Sequence, residues 1–174
     1  ILLLRLKKSR LINKIVVACT KSENDDPIIK ICKKLKISFF RGSEKNVLDR
    51  HYKTAVKFKA DNIARVTSDC PCVDYRMLDK LINFFFSKKA DYASNVNPPS
   101  FPDGFDLEIF TFKSLKRAWK KAKTNEEKEH VTPYMIKDKM LKKINYSNNK
   151  NYSDIRITLD EKVDLYVIKK LFNK

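Results

Sequence analysis

Two aspartates each end an apolar run just before a predicted helix. Asp69 ends the run that begins at Ile63, and Asp160 ends the run Ile155–Leu159. The carboxyl ends of parallel strands meet at one edge of a sheet, where open α/β sheets bind ligands. Two carboxylates there suit Mg²⁺, which takes one or two protein carboxylates together with phosphate oxygens and water. Either aspartate can instead cap a helix, an alternative that is weaker for Asp69 because Asp74 already supplies a cap.

A second group of carboxylates lies in the segment Phe101–Glu108. Asp106 and Glu108 stand two residues apart in a predicted strand and therefore share one face. Two carboxylates on one face require a counter-charge, a metal or a hydroxyl-rich ligand; alternatively, the face is exposed and paired with neighbouring lysines. Asp103 and Gly104 by themselves indicate a turn.

Two smaller groups are also candidates. His130 lies in the segment Glu129–Tyr134, where a lone histidine is more often structural than catalytic. Arg41 and Arg50 stand near a loop and a helix start, an arrangement that suits phosphate or nucleotide contacts. Either arginine can equally form an ordinary ion pair.

The elements that position these residues alternate along the chain. Strands are predicted at Lys14–Thr20, Ile37–Phe40, from Ile63 toward Asp69, and at Asp91–Asn95, Phe105–Thr111, Lys143–Ser147 and Ile155–Leu159. Helices are predicted at Leu2–Leu11, Asp25–Leu35, Glu44–Lys59, Asp74–Ser87, Lys113–Lys123, Glu126–Asp138 with an interruption or start near Pro133, and Glu161–Phe172. This alternation predicts an α/β fold with a largely parallel sheet flanked by helices, in one domain over residues 1–174.

The composition limits the classes of function. The chain has 174 residues, of which 43% are hydrophobic and 34% charged, and it has no apolar run long enough to cross a membrane. A cytoplasmic location is therefore expected. The net charge of +17 comes mainly from lysines spread over almost every helix. Nucleic-acid-binding proteins usually concentrate their charge on one face, so we expect an attraction for nucleotides but no dedicated nucleic-acid binding.

Cysteine and glycine are scarce in this chain, and their positions exclude further kinds of binding site. The four cysteines lie in apolar segments without Cys-x-x-Cys spacing, which favours reduced core residues over a metal or redox site at Cys70-Pro71-Cys72. The chain has only two glycines, Gly42 and Gly104. It therefore contains neither a Gly-x-Gly-x-x-Gly motif nor a P-loop.

Six motifs occur in order along the chain, and together they resemble one family. They are Arg41-Gly42-Ser43-Glu44, Val47-Leu48-Asp49-Arg50, Arg65-Val66-Thr67-Ser68-Asp69-Cys70-Pro71, Phe101-Pro102-Asp103-Gly104-Phe105-Asp106-Leu107-Glu108, Glu129-His130-Val131-Thr132-Pro133-Tyr134 and Arg156-Ile157-Thr158-Leu159-Asp160-Glu161. The set resembles the cytidylyltransferases of the spore-coat polysaccharide biosynthesis type, relatives of the acylneuraminate and Kdo cytidylyltransferases. The resemblance covers essentially the whole chain.

The resemblance implies a three-layer α/β/α fold of the nucleotide-diphospho-sugar-transferase type, which is Rossmann-like. It also implies transfer of CMP from CTP to a sugar hydroxyl, with release of pyrophosphate, in surface polysaccharide biosynthesis. By this resemblance Asp69 and Asp160 are catalytic residues that bind Mg²⁺. The residues matched to nucleotide binding are Arg41, Asp49, Arg50 and Arg65. Those matched to sugar binding are Asp103, Asp106, Glu108 and His130.

The resemblance also carries two expectations about the parts of the protein. Family members begin with a buried strand and a Gly/Arg-rich loop that wraps the CTP phosphates. Residues 1–174 show neither, so the resemblance implies an N-terminally truncated member that lacks this strand and nucleotide-binding loop. Relatives often form dimers, which makes a homodimer an expectation. The alternatives are a sugar-1-phosphate nucleotidylyltransferase of the same fold and a non-catalytic or degenerate protein that binds a nucleotide or a sugar.

Overall fold

A computed structural model describes residues 1–172. These residues form six strands: β1 (Val16–Thr20), β2 (Ser38–Gly42), β3 (Asn62–Arg65), β4 (Tyr92–Ser94), β5 (Glu108–Thr111) and β6 (Lys143–Asn145). They also form eight α-helices: α1 (Leu2–Leu6), α2 (Asp26–Lys34), α3 (Val47–Lys57), α4 (Tyr75–Ser87), α5 (Phe112–Lys121), α6 (Asn125–His130), α7 (Pro133–Lys137) and α8 (Lys162–Phe172). None of the described helices is long and apolar enough to cross a membrane.

The strands confirm the predicted α/β class with parallel pairing. Strands β1 and β2 form a two-stranded sheet, in which Val16 pairs with Ser38 in parallel register. The other four strands form a sheet in the order β3-β5-β4-β6, and β4 and β6 are parallel. Helices occupy the connections between parallel neighbours, as crossover connections require.

The chain divides into two compact units. Unit 1 contains Ile1–Ile12, Ala64–Ile109 and the residues from 143 onward, and unit 2 contains Asn13–Ile63 and Phe110–Lys142. Each unit is described by itself below. The prediction of a single domain therefore stays a prediction.

Side-chain caps determine where two central helices begin. Asp74 accepts a hydrogen bond from the backbone N–H of Arg76, so α4 begins after it as its sequence predicts. Helix α3 begins at Val47 rather than at the predicted Glu44, because Asn46 accepts a hydrogen bond from the Asp49 N–H and caps the helix there. The cap leaves residues 43–46 as a loop ahead of the helix.

One other helical prediction was too long: the helix predicted to Leu11 ends at Leu6. The interruption predicted near Pro133 is confirmed, because the stretch Glu126–Asp138 consists of two helices, α6 and α7, separated by Val131 and Thr132. Proline cannot donate a backbone hydrogen bond, and Pro133 accordingly starts the second helix.

The strand predicted at Ile155–Leu159 is wrong. The structure shows one isolated parallel bridge, between Asp103 and Arg156, and no ladder. The backbone groups of this segment bind two different loops instead of one neighbouring strand. Similarly, the strand predicted from Phe105 begins at Glu108, so Asp106 lies in the loop before β5.

Val131 has a backbone conformation that is rare for a branched residue. Its φ is 72° and its ψ is −52°, and the Thr132 N–H donates to the His130 carbonyl at 2.8 Å. These values describe a classic γ-turn, which is strained for an L-residue and more so for valine. The Val131 side chain is fully buried, and its packing offsets the strain.

We expect Val131→Gly to be at least as stable as Val131→Ala. Both variants lose the buried isopropyl group, but only glycine adopts a positive φ without steric cost. At an ordinary position glycine is less stable than alanine by roughly 0.5–1 kcal/mol. Urea unfolding of the two variants measures the difference. A Val131→Gly protein that is about 1 kcal/mol less stable than Val131→Ala would show that this turn is not strained.

Candidate functional site

Three backbone hydrogen bonds join the loops of unit 1 that carry the predicted aspartates. The Leu159 N–H donates to the Asp69 carbonyl at 2.8 Å. The Asp103 N–H donates to the Ile155 carbonyl, and the Ile157 N–H donates to the Asp103 carbonyl, both at 2.9 Å. The segment before Asp160 is thus held between the Asp69 loop and the Asp103 loop, so all three aspartates lie in one region of the unit.

Gly104 allows the Asp103 loop to approach this segment closely. Its φ is 100°, a conformation that L side chains rarely adopt. A Cβ atom added at this position would lie 2.8 Å from the Ile157 carbonyl carbon and 2.9 Å from the Thr158 nitrogen. Both of these are backbone atoms, so a side chain at residue 104 would push the two segments apart.

Asn95 fixes the backbone on both sides of Asp106. Its Oδ1 accepts a hydrogen bond from the Leu107 N–H at 2.8 Å, and its Nδ2 donates to the Phe105 carbonyl at 2.9 Å. Asn95 is only 1% exposed. Sequence reasoning missed this residue, although a buried-strand pattern that ends on an asparagine is a signal that could have found it.

A cavity of about 260 Å³ opens beside these loops within unit 1. Its lining includes Asn95, Pro99, Phe101, Asp103, Asp106 and Ser153. Burial, and after it the nearby Asp103 carboxylate, raises the pKa of Asp106 above its usual value. The cavity combines an aromatic side chain with carboxylate, amide and hydroxyl groups, a set that binds hydroxyl-rich ligands through hydrogen bonds.

Glu108 does not share the surroundings of Asp106. Its Oε2 accepts a hydrogen bond from Arg65 Nη1, and its Oε1 accepts one from the Tyr92 hydroxyl at 2.6 Å. Glu108 is 6% exposed and Tyr92 is 2% exposed. Burial, and next the Glu108 charge, raises the pKa of Tyr92. The two carboxylates in the sequence predicted a counter-charge, and Arg65 supplies it for Glu108. The Glu108 carboxylate is therefore bound by side chains of the protein itself.

Asp160 lies in a network with Arg156 and Asp164. Arg156 Nη2 donates to Asp160 Oδ2 at 2.6 Å, and Arg156 Nη1 donates to Asp164 Oδ1 at 3.0 Å. Asp164 Oδ2 also accepts hydrogen bonds from the backbone N–H groups of Glu161 and Asp160, at 2.8 and 2.9 Å. Asp164 thus orders the turn that carries Asp160. It too was missed from the sequence, where it reads as an ordinary residue of a helix.

We expect the stabilising effect of Asp164 to disappear in acid. The Glu161 N–H, then Arg156 and the Asp160 N–H, hold the pKa of Asp164 at about 2, below the value of about 3.9 in an unfolded chain. A lowered pKa stabilises the fold above about pH 4, and this contribution is lost as the pH falls through about 2. Urea midpoints of the wild type and of Asp164→Asn should therefore differ at pH 6 and converge toward pH 2. A difference in urea midpoint that stays the same from pH 6 to pH 2 would contradict the lowered pKa of Asp164.

In unit 2, Arg41 is fully engaged by the protein. Its Nε donates to the Thr20 carbonyl at 2.9 Å, its Nη2 to the Ser22 carbonyl at 2.6 Å, and its Nη1 to Asp26 Oδ1 at 2.8 Å. These bonds fix the loop after β1. Arg50 is different, because its Nη1 donates to the Ser43 carbonyl at 2.6 Å while its buried Nε has no partner within residues 1–172. Burial accordingly lowers the pKa of Arg50.

Asp49 and His130 also lie in unit 2, with different surroundings. Asp49 Oδ1 accepts a hydrogen bond from Trp119 Nε1 at 3.0 Å, and Asp49 Oδ2 pairs with Lys53 at 2.8 Å. The Trp119 ring stacks on Tyr52 with centroids 4.1 Å apart, so Asp49 connects α3 to α5. His130 is exposed at the end of α6, directly before the strained Val131 turn.

The predicted Mg²⁺ ligands were tested against the groups around them. Asp69 is half-buried and makes no ion pair within the described residues, and Asp160 is half-exposed with one oxygen bound by Arg156. Both supply the hard carboxylate oxygens that Mg²⁺ prefers, so the donor set fits this ion. No group of three or more His, Cys, Asp or Glu among residues 1–172 is arranged to hold a metal, so the prediction rests on these two carboxylates. The four cysteines are buried free thiols.

Comparison with known proteins gives a consistent result. The sequence model described as cytidylyltransferase matches residues 1–173. The uncharacterized protein MJ1063 of Methanocaldococcus jannaschii is 39% identical over 163 residues, which are 92% of this chain and 66% of that protein. The spore coat polysaccharide biosynthesis protein SpsF of Bacillus subtilis is 31% identical over 163 residues, 92% of this chain and 67% of that protein. The chain thus spans about two thirds of the length of these curated relatives.

Solved structures agree with these relatives. A cytidylyltransferase from Leptospira borgpetersenii superposes with a TM-score of 0.94 at 31% identity, over 99% of this chain and 74% of that one. The CTP complex of CMP:2-keto-3-deoxy-manno-octonic acid synthetase gives a TM-score of 0.69 at 11% identity, over 97% of this chain and 84% of that one. At that identity the second likeness shows the fold alone.

Proposed function

Because the chain belongs to the cytidylyltransferase family, we propose that it transfers CMP from CTP to a hydroxyl group of a sugar. The proposed sugar is a nonulosonic acid or a related compound that is used to build a surface polysaccharide. The similarity to SpsF, a spore coat polysaccharide biosynthesis protein, supports this context. The proposed activity releases pyrophosphate.

The observation that carries the proposal is the hydrogen bond between the Leu159 N–H and the Asp69 carbonyl. It holds the backbone of the residue before Asp160 against the Asp69 loop, which supports the proposal that these two aspartates act together. The cavity beside the Asp103 loop supplies carboxylate and hydroxyl groups for a sugar. Two carboxylates that could hold a cation and a cavity lined by hydroxyl-binding groups lie on adjoining loops, which supports such a transfer.

In the proposed reaction the sugar hydroxyl oxygen forms a bond to the α-phosphorus of CTP. The bond from that phosphorus to the bridging oxygen breaks, pyrophosphate leaves with the electron pair, and the hydroxyl proton passes to solvent. Mg²⁺, held by Asp69 and Asp160, would neutralise phosphate charge. Asp103 and Asp106 accept hydrogen bonds from the sugar and orient it, which lowers the barrier by positioning.

The other residues predicted to bind the nucleotide or the sugar differ in their surroundings, and their proposed roles differ accordingly. Arg65 lies four residues before Asp69 in sequence and pairs with Glu108, which makes it a positioned cation for the nucleotide. Arg50 donates one hydrogen bond within residues 1–172 where Arg41 donates three, so Arg50 is the stronger phosphate-binding candidate of unit 2. Arg41, Asp49 and His130 stay predictions, and Glu108 is assigned to holding Arg65 rather than to the sugar.

Pyrophosphate release tests the proposal. The protein is incubated with Mg²⁺, one of the four nucleoside triphosphates, and N-acetylneuraminic acid, Kdo or a sugar 1-phosphate. We expect release with CTP and a free nonulosonic or ulosonic acid. Faster release with UTP, GTP or ATP and a sugar 1-phosphate would favour the related nucleotidylyltransferase. Nucleotide binding without release under any combination would favour a non-catalytic protein.

A further inference from the structure

Arg65 contacts Glu108 through only one of the two nitrogens at the end of its side chain. Its Nη1 donates to Glu108 Oε2, whereas Nη2 makes no hydrogen bond within residues 1–172. The Arg65 side chain is 18% exposed, and Nε is buried without a partner whereas Nη2 is not, so Nη2 is open to solvent. This single contact needs an explanation, because a guanidinium and a carboxylate frequently pair through two parallel hydrogen bonds.

Tyr92 occupies the carboxylate oxygen that a second bond from Arg65 would require. Its hydroxyl donates to Glu108 Oε1 at 2.6 Å, so each oxygen of Glu108 accepts a hydrogen bond from a different residue. Tyr92 and Glu108 are 2% and 6% exposed, which keeps water from competing for these oxygens. Burial raises the pKa of Tyr92, so its hydroxyl keeps its proton and remains a donor.

The four-stranded sheet fixes the three side chains in this arrangement. In the strand order β3-β5-β4, Arg65 is the last residue of β3, Glu108 is the first of β5 and Tyr92 is the first of β4. Glu108 therefore stands on the strand between its two partners and binds one on each side. Sites built on strands are more precise than sites built on loops, which favours a positioning role for this group.

We infer that Tyr92 is a positioning residue that keeps the contact between Arg65 and Glu108 single, so that Arg65 Nη2 can donate to a phosphate oxygen of a nucleotide. This inference rests on the proposed function, which supplies the nucleotide. Without the Tyr92 hydroxyl, Glu108 Oε1 loses its donor. Because a buried acceptor is costly to leave unpaired, Oε1 then takes Nη2 as its donor and withdraws it from the nucleotide.

Equilibrium binding of CTP and of cytidine, without a sugar, tests the inference apart from catalysis. Cytidine has the base and the ribose but no phosphate, so its binding does not involve Arg65 Nη2. In NMR titrations we expect Tyr92→Phe to raise the Kd of CTP about tenfold, on the order of one charge-assisted hydrogen bond, and to leave the Kd of cytidine within about twofold. Equal weakening of both ligands, an unchanged Kd for CTP, or no binding of CTP by the wild type overturns the inference.

A double-substitution cycle separates positioning from general damage. Arg65→Lys keeps the positive charge but has a single terminal nitrogen, so Glu108 has no second donor to withdraw. Tyr92→Phe should therefore change the CTP affinity of an Arg65→Lys protein by no more than about twofold. Effects of the two substitutions that add in full would contradict the proposed role of Tyr92.

Two control variants account for the loss of a hydroxyl and for a loss of stability. Tyr166→Phe removes the hydroxyl of an exposed tyrosine on α8, and Ile82→Val shortens a buried side chain of α4. We expect both to keep the CTP affinity of the wild type, although Ile82→Val lowers the urea midpoint. A loss of CTP affinity in Ile82→Val as large as that in Tyr92→Phe would show that affinity follows stability, which overturns the inference.

The wild type supplies a test that needs no folded Tyr92 variant. In protein labelled with ¹⁵N-arginine, the side-chain signals of Arg65 are identified by their absence from Arg65→Lys. We expect CTP to shift these signals and cytidine to leave them in place. No shift with CTP, or equal shifts with both ligands, overturns the inference.

The two proposals fail in distinguishable ways. If CTP binding depends on Tyr92 as expected but no pyrophosphate is released with any sugar, the proposed function is wrong and the role of Tyr92 stands. If pyrophosphate is released while Tyr92→Phe weakens CTP and cytidine equally, the proposed function stands and the role of Tyr92 is wrong.

Discussion

Asp69→Asn lowers kcat/KM for CTP-dependent pyrophosphate release by an expected factor of about 10²–10³. The substitution keeps the size of the side chain and removes the charge that would hold Mg²⁺. It leaves the fold intact, because the bond that joins this loop to Leu159 is made by the Asp69 backbone carbonyl and not by its side chain. Pyrophosphate release and unfolding in urea, measured on the same preparation, separate the two effects.

A second measurement identifies the cause of that loss. Mg²⁺ added without nucleotide should raise the melting temperature of the wild type more than that of Asp69→Asn, because a ligand stabilises only the state that binds it. Asp154→Asn, which removes an exposed carboxylate of the same unit, should behave like the wild type. Activity within about twofold of wild type in Asp69→Asn would rule out the assignment of Asp69 as a metal ligand.

Gly104→Ala destabilises the protein by an expected 2–4 kcal/mol, on the order of the cost of a forced positive φ together with a backbone clash. The added Cβ would lie within 3 Å of the Ile157 and Thr158 backbone atoms. Neither atom can rotate away, so the Asp103 loop and the segment before Asp160 must separate. Urea unfolding measures the loss, and the rate of pyrophosphate release should fall together with stability.

Gly42→Ala provides the comparison. A Cβ at residue 42 would meet Arg50 Cγ at 2.8 Å and Phe40 Cε1 at 2.9 Å, which are side-chain atoms that can shift. Residue 42 also has no positive φ. We therefore expect a smaller loss, about 1–2 kcal/mol, as for other overpacked positions. Equal losses in the two variants would mean that the Gly104 conformation carries no special cost.

Much of the fold could be predicted because local signals and burial agreed. Asp74 caps α4, and the apolar run at Val16–Thr20 forms β1, as their sequences indicate. The wrong strand at Ile155–Leu159 falls where backbone groups bind a partner distant in sequence. Nothing in Ile155–Leu159 distinguishes a segment that pairs with two loops from one that joins a sheet, since both show alternating apolar residues.

Only part of the candidate site could be predicted, because the surroundings of its carboxylates depend on residues distant in sequence. Residue type and position after an apolar run singled out Asp69, and the paired carboxylates drew attention to Asp106 and Glu108. Their different surroundings depend on Arg65 and Tyr92, which reach Glu108 only through the order of strands in the sheet. An alternating sequence pattern assigns Asp106 and Glu108 to one face of a strand. The pattern does not show that the strand begins only at Glu108, which leaves Asp106 in the loop before it.

The hydrogen bonds that join residues 69, 103 and 159 also bear on how the protein folds. They connect segments that are far apart along the chain, and contacts of this kind form late because loop closure must precede them. Unit 1 therefore acquires its secondary structure before its aspartates meet. During synthesis, the segment Ile155–Leu159 must leave the ribosome before these bonds can form, because it follows residues 69 and 103 in the chain.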